Sequence, residues 1–167
     1  MKISLILFLI PITMLSQKED KLQKSKVDYN SFLEISEEVL KYRETRLIPL
    51  DTFLNFNKDP ETILLDTRSE AAYKLKHLEG AVHLNFSDFT EEKLAKIIPD
   101  KKTRILIYCN NNIDGDPISF PTKRLPLALN IPTFINLYGY GYKNIYELSS
   151  LVPIRDKRLK FTGAEVK

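Results

Sequence analysis

The run Ile105-Leu106-Ile107-Tyr108 leaves no polar side chain to face water on either side of an extended chain. A strand with one wet face alternates apolar and polar residues, whereas a strand covered on both faces reads as an unbroken apolar run. Ile63-Leu64-Leu65 is a second such run, ending at Asp66. Leu47-Ile48-Pro49-Leu50, Ala81-Val82-His83-Leu84 and Thr133-Phe134-Ile135-Asn136-Leu137 are read as three further strands. Helical patterns fall between them. Asp51 is placed to cap a short helix carrying Phe53, Leu54 and Phe56, and Ser69 to cap one through Leu75. Ser87 or Asp88 opens a helix with Phe89, Leu94, Ile97 and Ile98, which Pro99 stops. Pro126 suits the first turn of a helix over residues 127–130. Gly139 and Gly141 permit a tight turn before a last helix through Tyr146 and Leu148. Short buried strands alternating with helices predict an α/β fold: a mostly parallel five-stranded sheet with helices on both faces.

Upstream of that core, Phe32, Leu33, Ile35, Val39, Leu40 and Tyr42 recur at spacings near three and four, which predicts an amphipathic helical extension over residues 29–46. Residues 17–28 are polar and lysine-rich and read as a linker. Residues 1–16 join Lys2 to a short apolar run interrupted by Pro11 and end at a small residue, the pattern of a secretory signal peptide. That run is shorter than the roughly 20 residues of a spanning helix, so a cleaved leader with no stable membrane span afterwards is expected, a retained anchor being the alternative. The expected location is therefore exported, periplasmic or secreted. The expected layout is completed by a core domain over 47–152 and a basic, irregular tail over 153–167. Charges are interspersed and nearly balanced, 25 basic against 22 acidic, so no field suited to nucleic acid is implied.

Export favours disulfides, yet Cys109 is the single cysteine and cannot pair within the molecule. It follows Tyr108 at the carboxyl end of the predicted central strand, where parallel α/β sheets bind ligands. A thiol becomes a nucleophile as thiolate, and backbone N–H groups or a helix amino terminus lower its pKa. Burial in apolar surroundings does the reverse, so position alone leaves a reactive and an inert cysteine open.

Four ordered segments resemble the rhodanese-like family. Residues 64–73, Leu-Leu-Asp-Thr-Arg-Ser-Glu-Ala-Ala-Tyr, are similar to its strand ending in Asp-x-Arg before a helix. Residues 77–84 resemble its His-Ile-Pro-Gly-Ala turn, with Glu79 in place of proline. Residues 105–109 resemble the strand that delivers the catalytic cysteine, and residues 137–142 fall where the late glycine turn lies. The resemblance implies a rhodanese-like fold, persulfide formation on Cys109, and Asp66 and Arg68 as a supporting pair. Its partners would be a small sulfur-containing anion or a thiol acceptor. It implies no metal and no organic cofactor.

The resemblance also makes the loop Asn110, Asn111, Asn112, Ile113, Asp114 and Gly115 the anion-binding segment. This loop departs from the family's compact Cys-x-x-Gly-x-Arg type: glycine comes late, and Asp114 and Asp116 stand where a basic residue is expected. A carboxylate a few ångströms from a thiolate costs it about 1–4 kcal/mol, which disfavours ordinary thiosulfate chemistry. Lys123 and Arg124, at the end of the loop, could fold back to supply positive charge. The Asn110, Asn112, Asp114 spacing mimics the start of a calcium loop, but position twelve would be Pro121 and the bidentate acid is missing. His77 and His83 are assigned to structure, and Tyr138, Tyr140, Tyr142 and Tyr146 to packing of the late turn. Two functions are carried forward: a sulfurtransferase or sulfur carrier, and a catalytically silent binding module.

Overall fold

The computed structural model describes residues 22–166; the predicted signal peptide lies outside them, as do residues 17–21 of the predicted linker. Helix α1 (Tyr29–Arg43) opens at Asp28, whose carboxylate accepts from the Ser31 amide, and runs into a 3₁₀ turn over Glu44–Arg46. Then follow β1 (Leu47–Ile48), α2 (Leu50–Phe56), β2 (Thr62–Asp66), α3 (Glu70–Leu75), β3 (His77–Leu78), β4 (Val82–His83) and α4 (Glu91–Ile97). The second half holds β5 (Arg104–Tyr108), β6 (Ile113–Asp114), α5 (Asn130–Gly139), β7 (Ile145–Leu148), β8 (Val152–Pro153) and β9 (Phe161–Thr162).

The principal sheet has the order β1-β7-β5-β2-β4 and is parallel throughout. β5 lies at its centre, in register with β2 from Ile105 opposite Ile63 to Tyr108 opposite Asp66. Alternation along β5 feeds two cores. Ile105 and Ile107 pack with Val39, Leu94, Phe134, Leu137 and Ile145 on the face covered by α1, α4 and α5. Leu106 and Tyr108 pack with Ile48, Phe53, Leu64 and Phe120 on the other face. The unbroken apolar run is thus the mark of burial on both sides. Ser69 caps α3 by accepting from the Ala72 amide, as its position predicts.

Several local expectations are corrected. Residues 133–137 are not a strand but the middle of α5, which buries Thr133, Phe134 and Leu137 on one stripe. Pro132 is tolerated there because it lies in the first turn, where an N–H has no intrahelical partner. Pro126 sits in a 3₁₀ turn over Leu125–Leu127 rather than starting the helix. The last sheet strand is β7, over residues expected to be helical, and it takes its place by pairing with both β1 and β5. The 47–50 strand is only Leu47–Ile48, because Pro49 precedes α2; Asp51 lies inside that helix's first turn and pairs with Arg158 at 2.9 Å. Thr90, not Ser87 or Asp88, caps α4. The segment after residue 153 also docks: Leu159 is buried, β9 pairs with β3, and Glu79 N donates to Lys160 O at 2.9 Å.

Candidate functional site

Three neighbouring strands, β2, β5 and β7, end on one side of the sheet and deliver Asp66, Cys109 and Leu148 there. After Cys109 the chain turns at once into a 3₁₀ turn over Asn110–Asn112. Asn112 fixes that turn from inside: its Oδ1 accepts from the Cys109 amide at 2.9 Å, and its Nδ2 donates to Leu148 O at 2.8 Å and Ser150 O at 3.3 Å. The second asparagine is used outward. Asn111 and the Lys123 backbone exchange two hydrogen bonds, 2.7 and 3.0 Å, which tie the long loop back to the turn.

The Cys109 thiol is only 1% exposed. Backbone N–H groups of Asn111, from the turn, and of Asn130 and Leu129, from the start of α5, are directed at the sulfur. The α5 amides are available because the first N–H groups of a helix lack partners within it, and the helix dipole adds positive potential there. Burial nevertheless pushes the thiol pKa up, and the Glu147 charge adds to that rise, while these amides pull the other way.

The carboxylate near the sulfur is therefore not the one expected from the loop. Asp116 is turned away, held by Lys76 at 2.6 Å and accepting from the Ser119 amide at 2.9 Å; its carboxyl is held below the usual range despite partial burial. Asp114 is exposed and its backbone carbonyl accepts from Ile154 N. Gly115 lies in the turn after β6, where its φ of +88° favours glycine. Ile113 is buried in the core facing Phe120 and Val152. Lys123 and Arg124 are exposed and enter no ion pair among the described residues.

Glu147, Asn130 and Arg43 carry the electrostatics instead, and none was singled out from sequence. Glu147 lies in β7 and is 5% exposed. Asn130 Nδ2 bridges Asn112 Oδ1 at 2.9 Å and Glu147 Oε1 at 3.2 Å. Arg43, the last residue of α1, closes a two-point ion pair on the same carboxylate, with Nη2 to Oε1 at 2.6 Å. The one available signal was an acid inside Ile145-Tyr146-Glu147-Leu148, where a buried charge demands a partner. In this otherwise satisfied network two side-chain oxygens, Asn110 Oδ1 and Asn130 Oδ1, are buried with no hydrogen-bond donor.

Beside this lies a second buried cluster. Arg68 grips Asp66 through Nε at 3.0 Å and Nη2 at 2.6 Å, and also donates to the carbonyls of Ser119 and Lys76. Tyr108 Oη donates to Asp66 Oδ2 at 2.5 Å and accepts from Leu78 N at 3.0 Å. His77 stacks on Tyr73 with its Nδ1 2.7 Å from Tyr73 O, and His83 Nε2 lies 2.8 Å from Arg68 O. Both histidines are held by structure. Of the late tyrosines, Tyr142 is buried with its Oη donating to Ile98 O, and Tyr138, Tyr140 and Tyr146 are half-buried.

Against known families, the rhodanese-like domain matches residues 50–149, more than half of the chain. This chain belongs to the rhodanese-like domain family. Among solved structures it is similar to the BH2092 protein from Bacillus halodurans, with 16% identity, a TM-score of 0.52, and coverage of 78% of this chain and 85% of that one. It also resembles the rhodanese with anions from E. coli, at 18% identity over 62% of this chain and 99% of that one, TM-score 0.41. The hp1203 protein from Helicobacter pylori matches at 20% identity over 74% and 94%, TM-score 0.46. At these identities the likeness concerns the fold. No curated protein matches the chain in sequence. Within the family match lie Cys109, Asn112, Asn130 and Glu147, whereas Arg43 precedes it. Among the described residues of this rhodanese-like protein no helix is long and apolar enough to cross a membrane.

Proposed function

We propose that this rhodanese-like protein is an exported sulfur carrier that holds sulfane sulfur as a persulfide on Cys109. The observation that carries the reading is the set of amides from Asn111, Leu129 and Asn130 directed at the sulfur, an arrangement that stabilises an anion at that atom. In the transfer, the Cys109 thiolate attacks the outer sulfur of a persulfide R–S–SH. The Cys109 S–S bond forms, the donor S–S bond breaks, and R–S⁻ leaves with the electron pair. A thiol acceptor then removes the same sulfur by the reverse displacement. The donor class follows from charge. The Glu147 charge adds to the rise of the thiol's pKa and the turn Asn110–Asn112 carries no cation, so a dianion such as thiosulfate is disfavoured against a donor with little negative charge.

A second reading, a silent binding module, is favoured by the 1% exposure of Cys109 and by the upward shift of its pKa through burial. Intact mass separates the two. The protein lacking residues 1–16 is incubated with a glutathione persulfide donor and, separately, with thiosulfate, beside Cys109→Ala. The carrier gains one sulfur from the persulfide, less or none from thiosulfate, and none on Cys109→Ala. A wild-type protein that gains no sulfur from either donor, or a variant that loads equally, leaves the silent module standing.

A further inference from the structure

The carboxylate whose charge acts on the cysteine is buried, and its counterion comes from outside the family-matched segment. Glu147 is 5% exposed in β7, between strands β1 and β5. Its oxygens are met by the Arg43 guanidinium on one side and by Asn130 Nδ2 on the other. Asn130 in turn holds Asn112 Oδ1, the same atom that accepts from the Cys109 amide, and its own backbone N–H is directed at the sulfur. A continuous chain of contacts therefore runs from the end of α1 through Glu147, Asn130 and Asn112 to Cys109. Of the charged groups around it, Glu147 faces the thiol from β7 and Arg43 faces Glu147 from α1. The Asp66–Arg68 pair at the end of β2 is neutral within itself. The cradle from α5 and the turn consists of amides.

We propose that Arg43 is a positioning residue for Cys109: α1, standing ahead of the rhodanese-like domain, supplies the cation that neutralises Glu147 and so keeps the thiolate form of Cys109 accessible. Removing that cation leaves a buried negative charge on Glu147 with Asn130 Nδ2 as its remaining side-chain donor. Two opposed charge effects follow. Loss of Arg43 raises the thiol's titration midpoint, and loss of the Glu147 charge lowers it. A purely structural role for the pair predicts no such opposition. The proposal rests on Cys109 being the working group of the site, but its measurement needs no sulfur donor.

A single cysteine gives a single ¹³Cβ resonance in protein labelled only at cysteine, and that shift reports ionisation without reagent access. Tyr108, next in sequence, is held protonated well above its ordinary range by burial beside Asp66, so a transition below about pH 10 belongs to Cys109. Arg43→Gln is expected to raise the midpoint by about one pH unit, tenfold less thiolate at a given pH. Glu147→Gln is expected to lower it by a similar amount, and Arg43→Lys to stay near wild type. Midpoints for Arg43→Gln and Glu147→Gln that move in the same direction, or that both stay at wild type, overturn the proposal. If Arg43→Gln does not fold, the other two variants decide: a midpoint that Glu147→Gln fails to lower is fatal, including a wild-type transition too high to observe that this variant does not bring into range. Failure to load sulfur would strike the carrier function and leave these shifts intact.

Discussion

The ends of β2 and β5 lie side by side in one sheet but are built from opposite materials. At β2 a full ion pair, Asp66 with Arg68, is sealed in and nearly every polar group finds a partner: Tyr108, the Arg68 amide, and the carbonyls of Ser119 and Lys76. At β5 the groups are amides around a thiol, the Glu147 charge is balanced by a helix far away in sequence, and Asn110 and Asn130 each keep an unpaired oxygen. Buried polar atoms in native proteins are almost always paired, so spare hydrogen-bonding capacity marks a place arranged for something other than stability. On the proposed function, the first corner is a clamp and the second a receptor.

The largest expected effect tests the clamp. Arg68→Ala strands a buried carboxylate and should cost about 3–5 kcal/mol in urea unfolding. Cys109→Ala, whose thiol anchors no ion pair, should change stability by about 1 kcal/mol or less. Equal losses in the two variants would break the contrast. Between these extremes, Asn112→Ala strips partners from the Cys109 amide and the Leu148 carbonyl and should cost about 1–3 kcal/mol. If the receptor corner is soft, that loss will also slow sulfur loading; a variant that loads at the wild-type rate would show the turn to hold its shape without the asparagine.

The smallest effect concerns pH. Burial raises the pKa of Cys109, and burial beside Asp66 raises that of Tyr108 further. Both groups are neutral when protonated, so the folded state holds their protons more tightly than the unfolded chain does. Their contribution is fully present below the ordinary thiol value of 9.0 and is lost as pH rises through the unfolded and then the folded values. The thermal midpoint should fall progressively above about pH 9. Cys109→Ala should remove the earlier part of that fall and leave the tyrosine part; an unchanged profile would place the alkaline loss elsewhere.

Legibility in sequence followed the range of the forces. α1, β2 and β5 declare themselves through periodicity, and the Asp66, Arg68 and Cys109 positions through local order, because neighbours in the chain decide them. α5 and β7 were exchanged. Thr133-Phe134-Ile135 has strand-like composition, yet tertiary packing of its helical stripe prevails over propensity. β7 contains Glu147, a residue that weakens a strand reading until Arg43, 104 positions away, is brought onto it. The chemistry of the thiol was hidden for the same reason: Asp114 and Asp116 are close in sequence, whereas the carboxylate that bears on the sulfur belongs to another strand.

That separation bears on the order in which the molecule can assemble. During synthesis α1 and β1 emerge roughly a hundred residues before β7, and β1 pairs with β7 alone in the sheet. The nascent chain must therefore hold its first helix and its first strand without their partners until almost all of the domain has been made. Long-range pairings of this kind are slow to form, because loop closure must precede the contacts that reward it. Closure of the sheet edge and neutralisation of Glu147 become one late event, so the cysteine acquires its electrostatic setting only when the whole domain is in place.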